Sequence, residues 1–109
     1  MAKATFWQRG ESLDYKNITD AVIEENTIIA IGTRIGITGT YINPGEIGSL
    51  HVCGVYEMPK TDATAIELGA AVYFDGNGIT ATAGSNTPAG YAAAAATDAD
   101  TAILVKLLG

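Results

Sequence analysis

Between Glu46 and Leu108, short runs of Val, Ile, Tyr, Thr and Ala are broken every few residues by Gly, Asn-Gly or Pro, which leaves no room for a long helix. A chain punctuated in this way must build its structure from short strands and tight turns. In residues 46–60, EIGSLHVCGVYEMPK, apolar side chains alternate through Leu50 and Val52 and slip by one at Gly54, the pattern of a strand carrying a bulge. In residues 71–83, AVYFDGNGITATA, Asp75-Gly76-Asn77-Gly78 stands between two β-favouring runs and signals a hairpin. TAILVKLL, 101–108, adds a third element.

The first half continues the pattern. Residues 4–15, ATFWQRGESLDY, lack helical spacing and read as an N-terminal strand or arm. KNITDAVIEEN, 16–26, holds helix-capping residues but is short, and is expected to be a loop feeding the next strand. TIIAIGTRIGITG, 27–39, supplies one or two strands, and Pro44-Gly45 marks a turn. Pro59 to Leu68 is expected to be a connection. The five alanines after Tyr91 favour helix by propensity alone. They follow Pro88 and Gly90 and end at Thr97-Asp98-Ala99-Asp100, so a closely packed strand is the better expectation. The sum is an all-β fold, a small β-barrel or β-sandwich of about seven to nine short strands with an N-terminal arm. One domain spanning 1–109 is expected, divided into an arm or strand at 1–15 and a β body at 16–109.

With 109 residues, 48% of them hydrophobic but only 7% aromatic, the core must be built from small side chains, and oligomerisation would help it. Twelve acidic residues against six basic ones give a net charge of -6, which argues against nucleic acid as a direct partner. Residues 1–20 are balanced, Lys3, Arg9 and Lys16 against Glu11, Asp14 and Asp20, so the net charge lies in the body. There is no run of about 18 apolar residues, so no membrane span is expected, and without a signal-peptide pattern the chain should be made in a cytoplasm.

No catalytic constellation emerges. The lone Cys53 allows no intrachain disulfide and is expected to be a small core residue. The stretch from Gly32 to Gly39 has no lysine and lacks phosphate-loop spacing. Asp75-Gly76-Asn77-Gly78 resembles the start of a calcium loop, but Asn86 stands where a bidentate Glu is needed, so it reads as a turn. His51 has no second His or Cys to share a metal, and Ser12, Ser49 and Ser85 lack a nucleophile elbow. Glu24-Glu25 and Asp98/Asp100 read as solvated turn residues. Asn17-Ile18-Thr19 matches a glycosylation sequon, but no secretion signal accompanies it. No enzyme, cofactor or metal site is therefore expected. The informative pair is Phe6-Trp7: neighbours on a strand face opposite ways, so one of them is a candidate anchor in another subunit.

In order and spacing, AKATFWQRGESLDY, GEIGSLHVCGVYEMPK, AAVYFDGNGITAT and AGYAAAAATDADTAILVKLLG resemble the capsid cement, or decoration, proteins of tailed phages and prophages. Members of that family have at times been labelled RecA/RadA-like recombinases, a label that the missing phosphate loop argues against here. The resemblance implies a non-enzymatic all-β protein that trimerises on the outer surface of the virion capsid and stabilises the expanded head by bridging major capsid proteins. It implies contacts through the N-terminal segment, so the candidate capsid or subunit interface residues are Phe6, Trp7, Gln8, Arg9, Leu13 and Tyr15. The Phe6-Trp7 pair and the long 16–26 segment depart from the family pattern. The alternative is a β-sandwich module for carbohydrate or another small ligand, which would need a cluster of exposed aromatics.

Overall fold

A computed structural model describes residues 1–108. Among these there is no helix, and nine strands form two antiparallel sheets. β1 (Ser12–Lys16), β2 (Ile28–Ile31), β3 (Arg34–Thr38) and β4 (Ile47–His51) make one sheet in the order β1-β4-β3-β2. β5 (Val55–Pro59), β6 (Ala71–Phe74), β7 (Ile79–Thr80), β8 (Thr87–Ala92) and β9 (Ala102–Leu107) make the other, in the order β5-β9-β8-β6-β7. The arrangement is a sandwich, not a closed barrel.

The two sheets are copies of one unit. β1 pairs β4 as β5 pairs β9, β4 adjoins β3 as β9 adjoins β8, and β2 pairs β3 as β6 pairs β8. Registers match as well: Lys16↔Ile47 corresponds to Pro59↔Ala102, and Ile28↔Ile37 to Ala71↔Tyr91. The loops repeat too, since an isolated antiparallel bridge joins Ile23 to Ile42 in the first unit and Ile66 to Ala96 in the second. Asn26 N–H donates to Thr38 O as Gly69 N–H donates to Ala92 O. The second unit differs by an insertion: a two-residue turn between β2 and β3 is replaced by residues 75–86, which carry β7.

Each sheet has a loop face, on which its bridged loops fold, and an opposite open face. In the first repeat the loop face holds Leu13, Tyr15, Gly36, Thr38, Gly48 and Leu50, with Ile42 packed over Gly48. The open face holds Ile28, Ile35 and Ile37. In the second repeat the loop face carries Tyr56, Met58, Val72, Ala92, Ile103 and Val105, and this is the main core. Ile35 and Ile37 from the first repeat's open face are buried against it, with Ile28 beside them. Two different faces of the same unit thus meet within one chain.

Several expectations are met: the loop at 16–26, strands within 27–39, the Asn43-Pro44-Gly45-Glu46 turn with Glu46 N–H donating to Asn43 O at 3.0 Å, and the β6–β7 hairpin around Asp75–Gly78. Three need correction. Gly54 does not mark a bulge in one strand; with φ +115°, a conformation that side-chain-bearing residues rarely adopt, it lets the chain leave one sheet for the other, and 46–60 contains both β4 and β5. The bulge lies instead in the β6–β8 pairing, where Ala89 is extra between Val72↔Gly90 and Tyr73↔Pro88. Of the alanine tract, Ala92 ends β8, Ala93–Ala95 turn away, and Ala96 enters the loop bridge. Cys53 is half-buried in the inter-sheet connection rather than in a strand.

Candidate interaction surface

The arm preceding β1 has no regular secondary structure and is exposed along its length, and only at Glu11, whose carbonyl accepts from Val52 N–H at 2.9 Å, does it reach the sandwich. Phe6 is 82% and Trp7 88% accessible, values that leave both aromatic faces without intrachain cover. Gln8 and Arg9 are exposed beside them. Leu13 and Tyr15 are different. They sit on β1, opposite Leu50 and Gly48, and form the rim of the first repeat's loop face. Of the six candidate residues, four therefore lie on the free arm and two on a sheet face.

A polar plug anchors the edge of each repeat at the same place. Asn17, fully buried after β1, donates through Nδ2 to the carbonyls of Ala21 and Ile42, both at 2.8 Å, and accepts from Thr19 N–H at 2.9 Å and its hydroxyl at 2.6 Å. The sequon asparagine is thus a structural residue. After β5, the corresponding Lys60 buries its ammonium group, donating to Asp62 O at 2.7 Å and pairing with the Asp62 carboxylate at 3.3 Å. Asp62 in turn accepts from the Thr80 hydroxyl at 2.8 Å and Ala81 N–H at 2.9 Å, tying the insertion to the sheet edge. Burial opposes its ionisation, but the bonds from Ala81, Thr80, Thr64 and Lys60 outweigh that and hold its pKa down to about 2. Among the described residues, no buried side-chain nitrogen or oxygen lacks a partner.

The other candidates for chemistry are structural in placement. Asp75 accepts from the Thr61 hydroxyl and from the N–H groups of Asn77 and Gly78; these bonds lower its pKa and close the hairpin turn. His51 lies in β4 with its ring against Gly39. Among the described residues no three His, Cys, Asp or Glu side chains gather as a metal site, and no helix is long and apolar enough to cross a membrane. A cavity of about 170 Å³ opens between the repeats, lined by Ile28 and Ile37 on one side and Tyr56 to Pro59 on the other. Its walls are mainly the apolar side chains that join the two sheets.

Fold and surface together define a small β-sandwich that offers partners an aromatic arm and two part-covered sheet faces. The family model for phage cement proteins matches residues 7–107, nearly the whole chain, and the protein belongs to that family. Its role is accordingly structural and capsid-associated. No curated protein and no solved structure matches the chain.

Proposed function

We propose that this protein binds the outer surface of a phage head as a homotrimer and stabilises the expanded capsid by bridging neighbouring major capsid proteins. The observation that carries this reading is membership of the cement family across 7–107, which includes both the arm from Trp7 onward and the whole β body. The exposed arm supports it physically. Two adjacent aromatics left in water give an anchor that gains from burial in a partner, and Trp is among the side chains that contribute most at interfaces. Three arms on one trimer turn individually weak contacts into strong attachment once the first has engaged. A protein that binds the expanded lattice in preference to other states stabilises it by mass action.

The test is to add purified protein to expanded heads that lack it and follow head rupture on heating. Saturable binding with a higher rupture temperature is expected. Absence of both would end the proposal.

A further inference from the structure

We propose that copies of this protein assemble head to tail, the open face of the second repeat in one copy seating on the loop face of the first repeat in the next. The interface would reproduce between chains the contact that the two repeats already make within one. Inside the chain, Ile28 and Ile37 of the first repeat's open face meet Tyr56 and Met58 of the second repeat's loop face across the inter-repeat cavity. The matching registers translate each of these positions. Ile28 and Ile37 correspond to Ala71 and Tyr91, and Tyr56 and Met58 correspond to Leu13 and Tyr15.

Three of these four translated positions, Leu13, Ala71 and Tyr91, are exposed. Ile37 is 3% accessible where its counterpart Tyr91 is 44% accessible, and Leu13 remains 41% accessible although its neighbour Leu50 is buried. Ala71 is exposed, while Tyr15, Ile29 and Ile31 are half-buried. Leu104 and Val55 extend the second repeat's open face with further exposed apolar surface. The chain thus ends its own stack with one unmated face of each kind, and each is the counterpart of the face the other repeat has already covered.

A contact between two different faces is heterologous, so it either closes into a ring or runs on as a filament. Three copies would place six repeats in such a ring. The inference rests on the trimer proposed above for the number of copies, and not on capsid binding.

The geometry has a signature that a two-fold contact lacks. In a Cys53→Ala background, Leu13→Cys and Tyr91→Cys variants are prepared separately and treated with a short bismaleimide, alone and mixed. Head-to-tail assembly predicts cross-linked dimers in the mixture and none in either variant alone. The double variant should give covalent species that stop at three chains. Cross-linking of either variant with itself would overturn the proposal, as would absence of cross-links in protein that sediments as an oligomer, or sedimentation as a monomer at every concentration. Tyr91→Asp, on an exposed position, should still fold cooperatively as a monomer and lose the oligomer together with the concentration dependence of its unfolding midpoint; an unchanged oligomer would equally overturn it. Head binding without mixed cross-links sinks this interface alone, and mixed cross-links without head binding sink the capsid reading alone.

Discussion

In the first repeat a large loop residue, Ile42, fills the space over a strand glycine, Gly48; in the second the strand supplies Ile103 and the loop only Ala96. The same volume is filled from opposite sides, and one backbone plan survives this exchange of side chains. The repeats also divide burial unequally. The second repeat's loop face is the main core, covered by the first repeat, whereas the first repeat's loop face is closed only by its own loops around Leu50 and Ile42. One plan therefore gives a scaffold in one half and a surface with a partly open apolar rim in the other.

The sharpest way to break this comparison is at a pair of corresponding glycines, Gly36 and Gly90. Gly90 has φ +143°, and a Cβ there would run into the backbone carbonyl of Lys106, so Gly90→Ala should cost roughly 3–5 kcal/mol or prevent folding. At Gly36 the obstacle is the Leu50 side chain, 2.6 Å from the added atom, and Gly36→Ala should cost about 1–3 kcal/mol. Urea unfolding decides; equal costs would mean that the close backbone approach does not distinguish the second repeat.

The size exchange is next. Ile42→Ala should lose about 3 kcal/mol, and adding Gly48→Ile, which copies the second repeat's pairing, should restore about 1 kcal/mol or more by the same measurement. A double variant no more stable than Ile42→Ala would show that the two solutions are not interchangeable. Asn17→Ala, which removes the buried amide that donates to the Ala21 and Ile42 carbonyls and accepts from Thr19 N–H, should cost about 2 kcal/mol.

Acid should affect the second repeat's plug and spare the first. The Asp62 pKa is lowered from 3.8 to about 2, so its contribution is complete above about pH 4 and is lost as pH falls through 2. The loss, reduced by solvent screening, is on the order of 1 kcal/mol, and Asp62→Asn should flatten the unfolding midpoint across that window. A slope unchanged by the substitution would assign the acid sensitivity elsewhere. Smallest of all, Phe6→Ala and Trp7→Ala should shift stability by less than about 0.5 kcal/mol, because neither ring touches the sandwich core.

Strand content, the hairpin at Asp75–Gly78, the Pro44-Gly45 turn and the loop at 16–26 were legible because each depends on local residues with definite backbone preferences. The duplication was not. Over 12–31 against 55–74 only Ile23/Ile66 and Glu24/Glu67 coincide, since the exchange of Gly48 for Ile103 and Ile42 for Ala96 keeps volume and erases identity. A usable signal lay in the turns, where Ile23, Ile42 and Ile66 each precede by three residues an Asn or Gly with positive φ. The slip at Gly54 was read as a bulge because alternation shows that a strand is interrupted but not which sheet the chain enters next. Phe6 and Trp7 were expected to sit on opposite faces of a strand. Both are exposed because the chain joins a sheet only at Ser12.

The central claim is that this sandwich is a cement whose arm grips the capsid. Co-sedimentation of wild-type and Phe6→Ala/Trp7→Ala protein with expanded heads tests it most directly. The account predicts that wild type saturates at a fixed number of copies per head, in multiples of three, while the equally stable double variant loses most of its binding. Undiminished binding by the double variant would contradict the arm's role, and failure of the wild type to saturate would contradict the cement reading itself.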